Sequence, residues 1–265
     1  DECAYYKEDA GKLLLGCFEP KAKPWGHDGI PEDFCFDSLP EDFDHFEPIL
    51  EMATKRVPLI AETGIQLFFN GPESFTPDDR YYLGEAPEVK NLFVATGFNS
   101  IGIQSAGGAG LVLSQWIKNG HPPMDVNGVD IRRIHPFQSV RQYVHDRTVE
   151  SLGLLYAMHW PYRQVETARG VRRSAIHDKL VSLGACMGEV NGWERPNWYA
   201  PRGVEAKYEY SYGRQNWWPY ADAEAKALQS KVVMFDQSSF SKYLVQGKDA
   251  AKVLNRISAN DVDVA

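Results

Sequence analysis

The sequence predicts a mixed α+β fold, laid out as two units with a connector between them. Three observations carry this. Short uncharged apolar runs bounded by turn residues, such as residues 92–96, alternate with segments whose apolar residues recur every three or four positions. A glycine-rich turn joins one such run directly to one such segment between Thr96 and Ile117. Gly120 and then Pro122-Pro123 stop that segment, and the texture of the chain changes beyond them.

Taken in order, residues 12–18 read as a buried strand following a turn around Asp9-Ala-Gly11, and residues 26–40 as loop. Ser38-Leu-Pro-Glu41 forms a capping box, with Ser38 as N-cap, proline in the first turn and a carboxylate three residues on. Phe43, Phe46, Leu50, Ala53 and Val57 then follow on one helical face, and Pro48 inside that pattern predicts a kink or a later start. Residues 64–69 read as a strand and Asn70-Gly-Pro72 as a turn, while residues 72–80 are too polar and proline-broken for regular structure. Residues 92–96 read as a buried strand. After the glycine turn, Ala109, Leu113, Trp116 and Ile117 keep helical spacing.

Residues 137–152 are helical with a mixed-charge exposed face, and residues 163–173 form a polar, basic connecting surface. Residues 174–184 read as a compact helix between Ser174 as N-cap and Gly184 as C′ stop. A further helix is expected over 223–232, a strand into a turn over 241–247, and a last helix over 249–257. No internal repeat or low-complexity tract interrupts this order.

With 265 residues and 43% apolar content, the chain can hold two domains and a sizeable core. Its net charge of −8 argues against general affinity for nucleic acid or an anionic membrane, and no apolar run approaches a membrane span. The seven tryptophans fall mainly from Trp160 onward. Asp1-Glu2-Cys3 does not read as a signal peptide, and the tail after Ile257 has no closing element, so an interior piece of a longer protein is expected. Cys3, Cys17, Cys35 and Cys186 are widely spaced, with no C-x-x-C and no histidines at ligand spacing. No metal site or disulfide framework is expected, and the default is a reducing compartment.

The chemistry concentrates at residues 97–110. Glycine lets the backbone bend sharply and lets a flat ligand approach. The helix behind the turn opens with unpaired N–H groups and a positive dipole end, which suits a redox cofactor that gains negative charge on reduction. Close strand–helix packing with no ligand is the plainer reading of the same glycines.

Four segments carry a family resemblance: Gly16-Cys-Phe-Glu19, Asn70-Gly-Pro-Glu-Ser-Phe-Thr-Pro-Asp78, Leu83-Gly-Glu-Ala-Pro87 and Gly97-Phe-Asn-Ser-Ile-Gly-Ile-Gln-Ser-Ala-Gly-Gly-Ala-Gly110. In this order they resemble the C-terminal half of the flavin (DAO-type) domain of the sarcosine/dimethylglycine dehydrogenase family. Asp130-Ile-Arg-Arg133, Glu166-Thr-Ala-Arg-Gly170 and Gly192-Trp-Glu-Arg-Pro-Asn-Trp198 also fit this family, particularly its sarcosine dehydrogenase branch. From about Ser174 the chain is similar to the start of the glycine-cleavage T-protein, an aminomethyltransferase that binds tetrahydrofolate. Phe235-Asp-Gln-Ser-Ser239, Lys242-Tyr-Leu-Val-Gln-Gly247 and Asn260-Asp-Val262 are among the matching pieces.

The resemblance implies three parts: residues 1–121 of an FAD-dependent oxidoreductase domain, 122–173 of a central domain, and 174–265 of a folate module. It implies oxidation of a small N-methyl amino acid, sarcosine or dimethylglycine, with a hydride passing to the flavin and the one-carbon unit to tetrahydrofolate. Gly97, Phe98, Asn99, Ser100, Ile101, Gly102 and Ile103 would lie beside the flavin's pyrimidine edge. The family's dinucleotide fingerprint and covalent flavin histidine would lie upstream of this sequence, so most FAD contacts are expected there, and the main folate residues beyond Ala265. Gln104 stands where monomeric sarcosine oxidases carry a lysine, which suggests a dehydrogenase whose acceptor is an electron-transfer flavoprotein. Location would be the bacterial cytoplasm or the mitochondrial matrix. Two other classes share this layout: the non-catalytic regulatory subunit of pyruvate dehydrogenase phosphatase, and a folate-dependent methyl or aminomethyl transferase with a vestigial flavin half.

Tyr5 precedes the 13–18 strand, where relatives keep a tyrosine facing flavin and substrate; a core tyrosine is the alternative. Asn99 and Gln104 could bind a substrate carboxylate or cap the turn. Glu73, Asp78 and Asp79 read as a proline-rich surface turn rather than acid–base machinery. His145-Asp146 and His177-Asp178 read as helix-surface pairs whose side chains point apart. The basic run 169–173 reads as a solvated connector, with steering of an acidic partner or polyglutamyl folate as the alternative.

Overall fold

The computed structural model describes residues 3–157 and 163–264, so Trp160 and the extreme termini lie outside the described residues. Two compact units result, Asp1–Val171 with Lys207–Trp218, and Arg172–Ala206 with Pro219–Ala265.

The first unit opens with a hairpin of β1 (Ala4–Asp9) and β2 (Lys12–Cys17), paired from Ala4↔Cys17 to Asp9↔Lys12. Ala10 and Gly11 both take positive φ, 52° and 77°, the two-residue turn whose twist matches the strands. The expected strand forms, but it is not buried. Leu13 and Leu14 are 49% and 42% exposed, because among the described residues this sheet has only two strands.

Helix α1 (Phe43–Arg56) starts later than the capping box placed it. Asp42, not Ser38, is the cap, its carboxylate accepting the His45 N–H at 3.1 Å. Pro40 bars the residue before it from helical backbone, which removes the Ser38 start. Pro48 sits inside the helix. The expected apolar face is real: Ala53 is fully buried, and Phe43 and Phe46 meet Phe68 at ring distances of 4.6 and 5.4 Å. Residues 64–69 form no strand. Their alternation is strand-like, with Phe68 packed and Ile65, Leu67 and Phe69 exposed, but no neighbouring strand among the described residues pairs with them.

Strands β3 (Tyr82–Glu85) and β4 (Phe93–Thr96) pair antiparallel, and Asp130 bridges to Leu83 on the other side. The run at 92–96 is not buried: only Phe93 and Val94 are partly covered, and Leu92, Ala95 and Thr96 are exposed. Helix α2 (Gly102–Asn119) packs Trp116 and Ala109 inward and ends at Gly120, whose φ of 78° and N–H to Trp116 C=O (2.8 Å) give the expected stop.

Helix α3 (Arg141–Tyr156) follows, with Tyr143, Arg147, Ser151 and Leu152 buried. Its mixed-charge face is not simply solvated. Glu150 accepts the Glu166 and Thr167 N–H groups at 2.7 and 2.8 Å, and Arg147 donates to Thr167 C=O at 3.0 Å. Residues 166–168 are thereby tied to α3.

In the second unit, α4 (His177–Ser182) begins after Ile176 with no side-chain cap, so Ser174 does not cap it. Gly184 does stop it, with φ 91°. Strands β5 (Ala185–Val190) and β6 (Trp193–Tyr199) form a hairpin that the sequence reading did not contain, turning at Asn191-Gly192. Trp198 is 1% exposed and stacks on Tyr220 of α5 (Trp218–Ser230), a helix that starts earlier than expected. Residues 241–247 are not a strand; Tyr243 and Leu244 are 88% and 82% exposed. Helix α6 (Ala250–Ile257) lies where expected.

Candidate functional site: the turn at the start of helix α2

Strand β4 delivers the chain into a turn in which Gly97, Asn99 and Ser100 all have left-handed backbone, with φ of 67°, 49° and 64°. Asparagine tolerates that region; serine is strained there by about 1 kcal/mol, so something must hold the turn. The holder is the segment 73–82. Asn99, 1% exposed, accepts the Thr76 N–H on Oδ1 at 2.7 Å and donates from Nδ2 to Thr76 Oγ1 at 3.1 Å. Its own N–H donates to Ser74 C=O at 3.1 Å. A Cβ on Gly97 would meet Thr76 Cγ2 at 2.5 Å, so glycine is needed there for space as well as for φ. Phe98 stacks on Tyr81 with ring centroids 4.7 Å apart.

Helix α2 opens behind this turn with Ile101 in the cap position and no side-chain cap. The first helical bond is Ser105 N–H to Ile101 C=O at 3.0 Å, which leaves the N–H groups of Gly102, Ile103 and Gln104 ahead of the ladder. An open cleft of about 450 Å³ lies against them. Phe98, Asn99 and Ser100 line it together with Gly102, Ile103 and Gln104, and Glu73 and Ser74 line it too. Gly97 and Ile101 flank this set without lining the cleft. Ser100 Oγ donates to Glu73 Oε2 at 2.5 Å, fixing the carboxylate of a residue at the cleft.

Glu73 and Ser74 are the lining residues that the sequence reading missed. Glu73 was expected at the surface and is exposed there; the signal that marked it for the cleft was the whole motif Asn70–Asp78, not its charge. Asn99 spends both ends of its side-chain amide on Thr76, so turn capping describes that side chain. Tyr5 lies on β1, half-exposed, 5.9 Å from the Phe18 ring, which in turn stacks on Tyr156 at 3.6 Å. It does not line the cleft.

The carboxylates beside the turn are built in rather than loose. Asp78 holds the Arg133 guanidinium in a two-pronged contact at 2.7 and 2.9 Å, and Arg133 also donates to Tyr81 C=O at 3.2 Å. Burial pushes the Asp79 carboxyl up to about 7, with Asp78 adding to the rise and a hydrogen bond from Ser151 opposing it. Burial, with Asp78 beside it, likewise raises Tyr82 to about 12. The adjacent pair His145-Asp146 does not point apart, since Nδ1 and Oδ1 lie 2.9 Å apart across one short backbone step. His177 is buried, not on a helix surface. Arg172, expected to be solvated, stacks on Trp193 at 4.4 Å. Among the described residues no His/Cys/Asp/Glu group is placed to hold a metal ion, and no helix is long and apolar enough to cross a membrane.

Three family models match in sequence order: FAD dependent oxidoreductase over residues 1–116, FAD dependent oxidoreductase central domain over 119–174, and GCVT N-terminal domain over 176–265. In that order they mark part of an FAD-dependent oxidoreductase domain, its central domain and the start of a T-protein-like module. The chain is 47% identical, over its full length, to 4-methylaminobutanoate oxidase (formaldehyde-forming) of Paenarthrobacter nicotinovorans, covering 32% of that protein. It is 32% identical over 99% of its length to human mitochondrial sarcosine dehydrogenase, covering 31% of it. It is 33% identical over 98% of its length to the mouse mitochondrial pyruvate dehydrogenase phosphatase regulatory subunit, covering 30% of that protein. The chain thus spans about a third of the length of these relatives. It belongs to the sarcosine/dimethylglycine dehydrogenase family of FAD-dependent oxidoreductases.

Proposed function

We propose that the chain is part of an enzyme that oxidises the N-methyl group of a small amino acid. Residues 1–121 would complete a flavin site, 122–173 form the connector, and 174–265 begin a module that passes the one-carbon unit to tetrahydrofolate. The observation that carries this is the cleft at the uncapped start of α2, bounded by the turn 97–100. FAD, when bound, supplies the two-electron acceptor; the chain's part is orientation and electrostatics. The N–H groups of residues 102–104 face negative charge with a helix-end contribution of about 0.3–1 kcal/mol, up to ~2 when partly buried. That helps to hold a reduced ring; it does not account for a rate. Gln104 would bind the substrate carboxylate, and Tyr5 would stand near the substrate.

Sarcosine, dimethylglycine and 4-methylaminobutanoate are the substrates that the relatives' names suggest. Gln104 favours an electron-transfer flavoprotein as acceptor, whereas a 47% identical relative named an oxidase favours oxygen. The match to the GCVT N-terminal domain supports capture by folate; the formaldehyde-forming relative supports release instead. The cytoplasm of a bacterium or a mitochondrial matrix fits either. The regulatory-subunit relative keeps one competing reading open, a protein with this layout and no amine oxidation.

The deciding experiment is anaerobic titration of the intact flavoprotein with each of the three amines. Bleaching of the flavin by one of them supports the enzyme. A flavin that none of a wider amine panel reduces turns the assignment to the regulator. Trapping of labelled formaldehyde with and without tetrahydrofolate then separates transfer from release.

A further inference from the structure

The cleft's shape depends on Asn99, and Asn99 depends on Thr76. Thr76 is only 2% exposed and is gripped from both sides. On one side lies the turn, through the two Asn99 bonds and the contact of its methyl with Gly97. On the other side lies helix α3, where the hydroxyl of Ser151, a residue 3% exposed, lies 3.2 Å from Thr76 C=O across 75 residues of sequence. It also faces the Asp79 carboxyl, so its one proton is shared between the two oxygens. Thr76 also precedes Pro77, which confines it to extended backbone. A residue with so little rotational freedom transmits a shift at its carbonyl to its N–H instead of absorbing it.

Helix α3 is itself fixed. A Cβ on Gly153 would fall 2.0 Å from Pro20 C=O, so the loop at Pro20 is pressed directly onto the helix backbone. Ala22 N–H bonds to Val149 C=O at 3.1 Å, and Glu150 and Arg147 hold residues 166–168 from another side. The helix can therefore act as a reference against which the turn is set.

We propose that Ser151 is a positioning residue for flavin binding: through Thr76 and Asn99 it holds residues 97–100 in the shape that opens the cleft onto the N–H groups of helix α2. The connector would then set the cofactor turn, without any of its own residues entering the cleft. This rests on the flavin reading above, and the test is arranged so that the two can fail separately.

Hydrogen exchange is measured on the intact protein before any flavin is added, comparing the parent with Ser151→Ala. Loss of the Ser151 hydroxyl, which serves Thr76 C=O and Asp79 alike, should speed exchange in peptides spanning 97–104 by about five- to tenfold, with those over 141–156 within about twofold of the parent. Equal loosening of both regions, or an unmoved turn, overturns the proposal whatever the flavin does. The isosteric Thr76→Val removes the hydroxyl that Asn99 uses, while Thr76→Ser keeps it and should restore the slow exchange. In a relay the Ser151→Ala/Thr76→Val pair should be non-additive in turn exchange; simple additivity refutes coupling. With FAD present, Ser151→Ala should weaken binding by about the same five- to tenfold factor. A loosened turn with unchanged FAD affinity overturns the positioning role. A parent protein that takes up no FAD counts against the flavin reading instead.

Discussion

Replacing Asn99 with alanine should cost far more than a polar residue in a glycine-rich turn suggests. Two hydrogen bonds to Thr76, at 2.7 and 3.1 Å, vanish, and the Thr76 N–H is left buried with no partner. Leaving one such group unpaired costs about 1–3 kcal/mol, and the second, weaker bond about 1 kcal/mol. Alanine is also strained at the Asn99 φ of 49°, by about 1 kcal/mol relative to asparagine. The sum is roughly 3–5 kcal/mol of local stability. Asn99→Gly relieves only the backbone part, so about 1 kcal/mol should return. Hydrogen exchange of peptides spanning 74–104 along a urea series reads this segment apart from the second unit, where a single global transition would not. Asn99→Ala within about 0.5 kcal/mol of the parent, or Asn99→Gly restoring the parent in full, would refute the clamp.

Gly97→Ala should destabilise the same segment by about 2–4 kcal/mol, because φ is positive and the new methyl meets Thr76 Cγ2; pairing it with Thr76→Ser, which deletes that carbon, should return the steric part. Asp79 makes the fold weaker as pH rises: its carboxyl moves from 3.8 to about 7 on folding, so the folded state holds the extra proton between those values, and the contribution is full below 3.8 and lost as pH climbs through 7. Asp79→Asn should flatten the stability profile over that window and stabilise the protein at pH 8 by on the order of 1–3 kcal/mol, measured by urea midpoints at a series of pH values. Arg133→Lys loses the two-pronged contact with Asp78 and the donation to Tyr81 C=O, and should cost about 2–4 kcal/mol by the same measurement; a loss under ~0.5 kcal/mol would mean that the pair is ornamental.

The cofactor turn was legible in the sequence because its signals are local. Glycine spacing, a preceding apolar run and a following helical period are all contiguous, and the helix stop at Gly120 follows the same logic. What failed was whatever a second segment decides. The segments 64–69 and 241–247 carry strand-like patterns, but a strand is a pairing, and no strand among the described residues meets them. Ser38 had the chemistry of a cap, yet Pro40 and Asp42 moved the helix start four residues along. The β5–β6 hairpin was missed although Asn191-Gly192 is a strong turn signal; Pro196 in its second strand is a residue that strand interiors rarely carry. The ladder accommodates it with a register shift opposite Cys186 and Met187. At the site, Glu73 is exposed as expected, and what the sequence could not show is its partner, the hydroxyl of Ser100 27 residues away, which sets it at the cleft.

The tight β5–β6 turn bears on how samples of this protein age. At an Asn–Gly step the glycine nitrogen can close on the preceding side-chain amide and expel ammonia, giving a succinimide that water then opens to aspartate or isoaspartate. At Asn191-Gly192 that nitrogen is occupied, its hydrogen held by the Glu189 carboxylate, and both residues are locked at positive φ, 50° and 79°. Deamidation during storage should therefore reach this step only when the hairpin opens, so its slow appearance in peptide maps would serve as a clock for local unfolding of the second unit.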